Sequence, residues 1–203
     1  MKEERLYIVL PQPHDWVWKA TFLPDVQFPW NDVSIAPKID THFQMFIDWR
    51  RLKNIDLDYF LPQGPVVSQK FASLCTDQGV DFQLISLDVI LNGVKVKEKF
   101  YFMALNKFVS IVDADRTSHV RMKKMDGTGY EINPFFPDIP EYDMLERIVF
   151  NDLKKPPLFI APEIGSRRVC TQQFKECMEG HGMKGIEFQP IDERFRYESF
   201  GFQ

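Results

Sequence analysis

Cysteine is scarce in this sequence. The sequence also has no long apolar run and no large excess of charge of either sign. The chain has three cysteines among 203 residues, too few for a disulfide framework, which indicates a reducing compartment. No apolar run approaches the roughly 18 residues that cross a bilayer, which excludes a transmembrane protein. The 25 Lys and Arg against 29 Asp and Glu give a net charge of −4, so we expect no direct binding of nucleic acid.

A secretion signal is also missing. The opening Met-Lys-Glu-Glu-Arg carries both signs of charge, and only the five apolar residues Leu6–Leu10 precede Pro11. A signal peptide needs a longer apolar core than this. We therefore expect a soluble, globular, cytoplasmic protein that contacts no membrane.

Aromatic residues, in contrast, are abundant: 19 Phe, 6 Tyr and 4 Trp. Such side chains fill cores and anchor contacts between proteins. The sequence predicts a single α+β domain over residues 1–203. Residues 1–60 are rich in aromatics and proline, and they are expected to be irregular apart from a strand at Leu6–Leu10 and a short helix within Phe43–Arg51. Residues 61–203 carry most of the predicted regular structure.

A helix and a hairpin are predicted in the middle of the chain. Ser68 is placed to cap a helix that ends at Gly79. The dipeptide Asn92-Gly93 is a strong signal for a two-residue hairpin. With Leu91 opposite Val94, one face of the hairpin is nearly all apolar.

The same register has two further consequences. Asp88 falls opposite Lys97, a favourable contact of opposite charges. Glu98 falls on the apolar face, and a bulge near Ser86 is one way to repair this pattern. Beyond it, Phe100–Val112 is expected to form one long strand.

An internal repeat links the middle and the end of the chain. Residues 79–85 (Gly-Val-Asp-Phe-Gln-Leu-Ile) and 185–191 (Gly-Ile-Glu-Phe-Gln-Pro-Ile) agree at four of seven positions. A short strand and a helix precede each copy: Val66-Val67 begins the first, and Leu158–Ala161 with a helix at about Ser166–Gly180 begins the second. The sequence thus predicts a mixed or antiparallel sheet with a pseudo-duplicated strand–helix–strand unit and a central hairpin.

The search for chemistry begins with Cys170, Cys177 and His181, which share one face of the predicted helix. Eleven helical residues span about 16 Å, whereas a zinc ion holds its ligands within roughly 2.0–2.3 Å. Core packing therefore explains this trio better than a metal does. Cys75, on the apolar face of the first helix, is expected to be a buried and inert thiol. We predict no metal site, no cofactor and no catalytic residue.

Two alternatives to a binding protein stay open. The first is a hydrolase or a modifying enzyme, in which Asp113, Asp115 and His119 would converge from loops on one pocket. A turn at the end of a strand also explains the two aspartates, and a solvated loop explains the histidine. The second alternative is a scaffold subunit of a larger assembly.

Several segments share a pattern of strands entering helices with a known family. They are Val66-Val67-Ser68-Gln69-Lys70-Phe71, the aromatic run Phe100–Asp113, Ser118, Leu158–Ala161 and Gly182–Ile191. Over residues 60–192 the chain resembles the eleventh family of bacterial polymorphic-toxin immunity proteins, formerly a domain of unknown function. It departs from the family pattern at Ala161, where serine is usual, and at Gly165–Arg168, which looks like an insertion.

The resemblance implies an immunity protein, which protects a bacterium by binding tightly to a toxin delivered by contact-dependent or type VI secretion. Its partner is a cognate toxin domain, and a basic nuclease is one toxin that would suit an acidic inhibitor. The family has no catalytic motif, so we expect no enzyme activity. The Trp-rich N-terminal segment and the loop Arg116–Pro140 are the expected contact surfaces. The residues predicted to bind the toxin are Trp16, Trp18, Trp30, Arg116, His119 and Arg121.

Overall fold

The computed structural model of the protein describes residues 5–23, 43–133 and 135–199. These residues form two α-helices and fourteen strands in antiparallel and mixed sheets, in agreement with the predicted α+β class. In chain order the elements are β1 (Leu6–Pro11), β2 (Thr21–Leu23), β3 (Phe43–Ile47), β4 (Tyr59–Phe60), β5 (Val66–Ser68), α1 (Gln69–Asp77), β6 (Phe82–Leu91), β7 (Val94–Lys95), β8 (Phe100–Leu105), β9 (Ser118–Arg121), β10 (Tyr142–Glu146), β11 (Leu158–Ala161), β12 (Arg167–Thr171), α2 (Gln172–Gly180), β13 (Ile186–Pro190) and β14 (Arg196–Glu198).

The described residues divide into two compact units. Unit 1 comprises those within Met1–Val9, Lys107–Lys175 and Phe188–Gln203, and unit 2 those within Leu10–Asn106 and Glu176–Glu187. Compact units of this kind occur both within one domain and as separate domains, so the single domain over residues 1–203 stays a prediction. None of the described helices has the length and apolar character needed to cross a membrane.

Unit 2 is built on a sheet of seven strands in the order β2-β3-β6-β8-β5-β4, with β7 paired to β6. The β3–β6 pair is parallel and the other pairs are antiparallel. Aromatic rings dominate its core, as their number in the sequence suggests: the centroid of Phe102 lies 5.4 Å from that of Phe22 and 5.8 Å from that of Phe43. Trp16 joins this core with its centroid 5.4 Å from that of Phe60.

The central hairpin turns where the sequence predicts. Leu91 pairs with Val94, and Asn92 (φ 51°) and Gly93 (φ 82°) both have the left-handed backbone that a type I′ turn requires. The Asn92 side chain also fastens the neighbouring loop, because its Oδ1 accepts a 2.8 Å bond from the amide of Trp49 and its Nδ2 donates to the Trp49 carbonyl at 3.2 Å.

Beyond the turn, the β6–β8 ladder is shifted by two residues from the hairpin's register. Leu87 pairs with Phe100 rather than with Glu98. The Val96 amide still bonds to the Val89 carbonyl at 2.8 Å. Residues 97–99 then leave the ladder, and Glu98 is exposed in this excursion. Because the shift is even, the apolar side chains of both strands stay on one face. The bulge predicted near Ser86 is therefore wrong: the irregularity lies in the other strand.

The opposite-charge contact of this hairpin forms with a different lysine. Lys95 Nζ lies 2.6 Å from Asp88 Oδ2, where the sequence predicts Lys97. The excursion of residues 97–99 takes Lys97 out of the ladder.

Other elements also differ from their predictions. The helix predicted within Phe43–Arg51 is wrong, because the strand β3 occupies its first half; Phe43, Met45 and Ile47 are buried at the spacing of a strand. The helix at Ser166–Gly180 begins later than predicted, because β12 comes first and pairs with β1 and β11. The long strand Phe100–Val112 ends at Leu105 as β8.

Helices α1 and α2 begin in the same way. The Ser68 hydroxyl, predicted as a cap, accepts a 3.1 Å bond from the amide of Phe71. The Thr171 hydroxyl accepts a 3.4 Å bond from the amide of Phe174. Each hydroxyl thus satisfies an amide that the first turn of its helix leaves unpaired.

The two helices also end in the same way. A left-handed glycine follows each one, Gly79 at φ 71° and Gly182 at φ 61°. The amide of the residue after the glycine bonds to the carbonyl five positions earlier, at 3.0 Å after Gly79 and at 3.1 Å after Gly182. This pairing satisfies the last carbonyls of each helix.

Gly185 is the position in unit 2 where a side chain fits least. Its φ is 83°, and a Cβ atom built there would lie 2.2 Å from the carbonyl oxygen of Tyr59. The Gly185 carbonyl accepts a 2.9 Å bond from the amide of Gln12. The backbone therefore needs glycine both for its conformation and for this close approach.

Most residues of the other two sheets belong to unit 1. Their strand orders are β11-β12-β1-β13 and β14-β10-β9. Fully buried side chains of these sheets include Ile8, Tyr142, Leu145, Phe159 and Val169.

Candidate interaction surface

The loop predicted at Arg116–Pro140 contains a strand at the edge of the sheet β14-β10-β9. In β9, His119 pairs with Leu145 and Arg121 pairs with Tyr142. The chain stays extended past β9: the Met122 amide donates to the Glu141 carbonyl at 3.0 Å. The strand therefore continues beyond its first partner, and we call residues 118–124 the edge strand.

The end of the edge strand pairs with the segment that follows it. The Met122 carbonyl accepts a 2.9 Å bond from the amide of Glu131, and the Lys124 amide donates to the Gly129 carbonyl at 3.0 Å. Asp126 closes the turn between them, because its Oδ1 accepts bonds from the amide and the hydroxyl of Thr128 at 2.9 and 2.7 Å. These bonds lower the pKa of the Asp126 carboxyl.

The inner face of this sheet is polar and partly buried. The His119 ring lies 5.1 Å from that of Tyr142 in an edge-on contact, and His119 Nδ1 lies 3.0 Å from the Thr117 carbonyl oxygen. Arg121 stacks on Tyr130, with its guanidinium carbon 4.5 Å from the ring centroid. Its Nε is buried and has no hydrogen-bond partner among the described residues. Burial, and to a lesser degree the charge of Glu163, raise the pKa of Tyr142.

Glu163 is a buried acid in unit 1, with 3% of its surface exposed. Its Oε1 accepts bonds from the Ser110 hydroxyl, from the Ile111 amide at 2.9 Å and from the Val112 amide at 3.4 Å. Its Oε2 is also buried and has no partner within the described part of the chain. Burial raises the pKa of this carboxyl despite the three donors.

Exposed apolar side chains are concentrated around the edge strand. Nine large hydrophobic residues are exposed among those described, and five of them lie within residues 116–140. Ile132 is 58% exposed and Met125 is completely exposed. The five are Val120, Met125, Tyr130, Ile132 and Phe135. Met125, Tyr130, Ile132 and Phe135 follow the edge strand, and we call these four residues the apolar surface.

The backbone that carries the apolar surface is held by buried polar side chains. Asn133 Oδ1 accepts bonds from the amides of Phe135 and Phe136 at 3.0 and 2.9 Å, and its Nδ2 donates to Glu141 Oε1 at 2.6 Å. The Thr117 hydroxyl accepts a 3.0 Å bond from the Val149 amide. The segment is therefore ordered before any partner arrives, which lowers the entropic cost of binding.

The same segment is locally basic although the protein is acidic. Residues 116–124, Arg-Thr-Ser-His-Val-Arg-Met-Lys-Lys, hold four cationic side chains and no acid. Arg116 is neutralised by Asp113, whose Oδ2 lies 2.6 Å from Arg116 Nε. This bond lowers the pKa of the Asp113 carboxyl and raises that of Arg116. No ion pair forms between Arg121, Lys123 or Lys124 and another described residue.

The predicted contact residues that the structure describes lie in different surroundings. His119 and Arg121 lie together on the inner face of the sheet and are half-buried, and Arg116 is exposed but engaged with Asp113. Trp16 is buried in unit 2. Trp18 lies in a short 3-10 helix, Val17–Lys19, and its side chain is outside the described part. Trp30 also lies outside the described residues.

The loop Arg116–Pro140, which carries the apolar surface, was predicted as a contact surface, but only its cations and His119 were singled out. A usable signal was nevertheless present. Tyr130, Ile132 and Phe135 lie among Gly, Asp, Asn and Pro residues, in a segment without the periodicity of a core element. Apolar residues in such a setting are candidates for exposure.

Asp113, one of the groups singled out for enzyme chemistry, makes local hydrogen bonds. Its Oδ1 accepts bonds from the amides of Asp115 and Arg116 at 3.1 and 3.2 Å, so it closes a turn. The shared helical face of Cys170 and Cys177 is wrong, because Cys170 lies in β12 and Cys177 in α2. Within the described ranges, no three His, Cys, Asp or Glu side chains are grouped to hold a metal ion.

No protein-family model matches the chain, and no curated protein matches its sequence. The resemblance to immunity proteins therefore stays a prediction.

Proposed function

We propose that this protein is an immunity protein of the bacterial cytoplasm, which neutralises a cognate toxin by binding to it directly. The observation that carries the proposal is the apolar surface on a fixed backbone. Proteins rarely expose several large apolar side chains in one segment unless another molecule covers them. The resemblance described above adds the class of partner, a secreted toxin domain.

The apolar surface is large enough to support tight binding. Complete burial of a large apolar side chain is worth about 1.5–3 kcal/mol. Met125 is 105% exposed, and Tyr130, Ile132 and Phe135 are 47%, 58% and 47% exposed. Covering all four would therefore contribute about 4–8 kcal/mol before the costs of association are subtracted. Because the backbone is already ordered, little is lost in fixing it.

The charges around this surface describe the region of the toxin that touches it. The net charge of −4 favours a toxin that is basic overall, such as a nuclease. The unpaired cations Arg121, Lys123 and Lys124 favour an acidic patch at the point of contact. The two requirements are compatible, because the first acts at long range and the second at short range.

One observation favours the enzyme alternative. On the inner face of the sheet, His119, Arg121 and Tyr142 are grouped, and Glu163 interacts electrostatically with Tyr142. Buried polar atoms without partners, such as Arg121 Nε and Glu163 Oε2, also occur in sites that bind a ligand. The purified protein alone would then show hydrolase or modifying activity. Loss of this activity in Tyr142→Phe, but not in a variant of the apolar surface, would favour this alternative.

We propose further that the two strand–helix–strand segments arose by duplication. Ser68 and Thr171, Phe71 and Phe174, and Gly79 and Gly182 have matching roles, and each pair is separated by 103 residues in the sequence. The matching caps and glycine stops of α1 and α2 support this origin. The strand that enters the second copy is β12, so Leu158–Ala161 has no counterpart in the first.

The proposed function is tested with the polypeptide encoded immediately upstream. Wild-type protein is expected to rescue growth when the two are co-expressed, and to bind the purified polypeptide one to one below micromolar concentration. Ile132→Glu should weaken this binding at least about a hundredfold, since it buries a charge in an apolar contact. Val94→Glu is the control, because Val94 is 69% exposed in unit 2, outside the proposed surface.

The results separate the proposals clearly. Equal binding by Ile132→Glu and Val94→Glu would refute the apolar surface as the interface. A polypeptide that is harmless, or that kills without binding, would refute the immunity function. A stable homo-oligomer without a toxic partner would favour the scaffold alternative. Both variants alter exposed residues, so their melting temperatures should match that of the wild type.

A further inference from the structure

The edge strand has one side without a partner in the described part of the chain. Its amides and carbonyls at Met122 and Lys124 bond to residues 129, 131 and 141, so the even-numbered residues face the neighbouring strands. Successive residues of a strand direct their backbone groups to opposite sides. His119, Arg121 and Lys123 therefore direct their amides and carbonyls away from the sheet, and β9 is the terminal strand of its sheet.

We propose that this free side binds an extended, acidic segment of the partner protein by strand addition. An added strand would receive up to three N–H and three C=O groups in a row from His119, Arg121 and Lys123. Such backbone pairing supplies affinity, and the side chains on either face supply specificity. The inference rests on the proposed function in one respect, namely that the toxin is the partner.

The charge of the edge strand selects the kind of segment. Two copies of the edge strand paired side by side would bring six cations together, Arg121, Lys123 and Lys124 from each copy, without an acid between them. Like charges on facing strands are destabilising, and cations on an edge commonly prevent self-association. A second copy of the chain is therefore an unfavourable partner for this edge. A strand with acidic side chains would instead place negative charges beside Arg121 and Lys123.

The two faces of the edge strand favour different side chains in the added strand. Arg121 and Lys123 share the inner face with His119, and Arg121 Nε is a buried donor without a partner among the described residues. An aspartate or glutamate beside Arg121 would provide the missing acceptor. On the outer face, Val120 is 44% exposed and would pack against an apolar neighbour. The expected segment thus alternates acidic and apolar residues.

The test measures amide hydrogen exchange in the full-length protein, residue by residue. The probe is a seven-residue peptide that alternates glutamate and valine, and its control has the same composition with the glutamates grouped at one end. At saturation, the alternating peptide should slow exchange about tenfold or more at the amides of His119, Arg121 and Lys123. The amide of Met122 already bonds within the protein, so its exchange should change little.

A pair of variants separates backbone pairing from charge. Lys123→Pro removes an outward amide that takes no part in the sheet, and proline is tolerated on that side of an edge strand. Lys123→Thr removes the same charge but keeps the amide. The proline variant should bind the peptide at least about tenfold more weakly than the threonine variant, while both keep the exchange pattern of the wild type elsewhere.

Different failures have different readings. Protection by a thymidine oligonucleotide but not by the peptide would overturn the proposal in favour of nucleic acid. A dimer with these amides protected in the absence of peptide would overturn it in favour of a second copy. If the upstream polypeptide binds but protects only other amides, and the peptide protects none, strand addition is refuted while the immunity function stands. If the peptide protects these amides and the upstream polypeptide does not bind, strand addition stands while the immunity function is refuted.

Discussion

Replacing Glu163 by glutamine should leave the stability at pH 8 within about 1 kcal/mol of the wild-type value or above it, whereas replacing it by alanine should be strongly destabilising. The reason is that the two carboxyl oxygens are in different situations. Oε1 accepts three hydrogen bonds, two of them from the amides of Ile111 and Val112, and Oε2 has no partner among the described residues. Glutamine keeps the acceptor and removes the buried charge.

The magnitudes follow from the bonds. In Glu163→Ala two buried amides lose their acceptor, at about 1–3 kcal/mol each, and the Ser110 hydroxyl loses one as well. The free energy of unfolding should therefore fall by about 3–5 kcal/mol. In Glu163→Gln the three bonds persist as neutral ones, so the change at pH 8 should lie within about 1 kcal/mol of zero or favour glutamine.

The pH dependence gives the sign of the charge effect. Burial raises the pKa of Glu163 in the folded state above the value of about 4.3 for an exposed glutamate. The folded protein thus holds this proton more tightly than the unfolded chain does. Its contribution to stability is fully present below about pH 4 and is lost as the pH rises through the folded pKa. Glutamine does not titrate, so its stability relative to wild type should increase with pH.

The assay is urea unfolding of wild type, Glu163→Gln and Glu163→Ala at pH 5 and pH 8. The difference between wild type and glutamine variant should grow by about 1.4 kcal/mol for each pH unit that lies between the unfolded and folded pKa values. Glu98→Gln, at an exposed site, should change stability by less than about 0.5 kcal/mol at either pH. This account of Glu163 would be refuted if the glutamine and alanine variants lost equal amounts of unfolding free energy. It would also be refuted if the difference between wild type and the glutamine variant were the same at pH 5 and pH 8.

Three further outcomes are expected. Gly185→Ala should lower the free energy of unfolding by about 3 kcal/mol or more. Gly182→Ala has a similar φ but open space around it, so it should lower this free energy by about 1–2 kcal/mol. Equal losses in urea unfolding would show that a small backbone shift removes the clash at Gly185. Ser68→Ala should lower it by about 1 kcal/mol in the same assay, through loss of the cap, and no loss would mean that water caps the helix as well. Burial, followed by the charge of Cys177, raises the pKa of Cys75, so a thiol reagent at pH 7.5 should label Cys177 in the folded protein and reach Cys75 only in denaturant; labelling at equal rates, measured by mass spectrometry, would contradict this.

Local signals in the sequence were sufficient where short-range contacts decide the structure. The strand at Leu6–Leu10, the cap at Ser68 and the turn at Asn92-Gly93 are each fixed by a few neighbouring residues. All three appear where predicted. The two-residue shift beyond the hairpin was not predictable, because pairing partners of equal parity bury the same face.

Long-range pairing explains the errors. Phe43–Ile47 fits a helical spacing through Phe43 and Phe46 and a strand spacing through Phe43 and Met45, and only the distant partner β6 selects the strand. Arg167–Thr171 likewise becomes a strand because β1 and β11 flank it. Periodicity within a segment carries no information about such partners.

The candidate surface was predicted only in part. The basic character of residues 116–124 was visible, and a short strand at Val120–Met125 was one option within the predicted loop. Its place at the edge of a sheet was not visible, because its inner face consists of His119 and Arg121 rather than apolar residues. Nothing local distinguishes Glu163 from an exposed glutamate. Its role depends on the approach of residues 110–112, which are about fifty positions earlier in the chain.

The division of the chain between the two units has a consequence for its synthesis. The chain leaves unit 1 after Val9, forms most of unit 2, returns at Lys107 and supplies Glu176–Glu187 to unit 2 near the end. The first strand, β1, cannot pair with β12 until β12 has been synthesised, and the Gln12 amide cannot bond to the Gly185 carbonyl until Gly185 has been synthesised. Neither unit is complete until about nine-tenths of the chain has left the ribosome, so pairing over such separations should make folding slow. A nonsense codon or a proteolytic cut between residues 107 and 175 would therefore leave no intact unit on either side, in contrast to proteins whose domains follow one another along the chain.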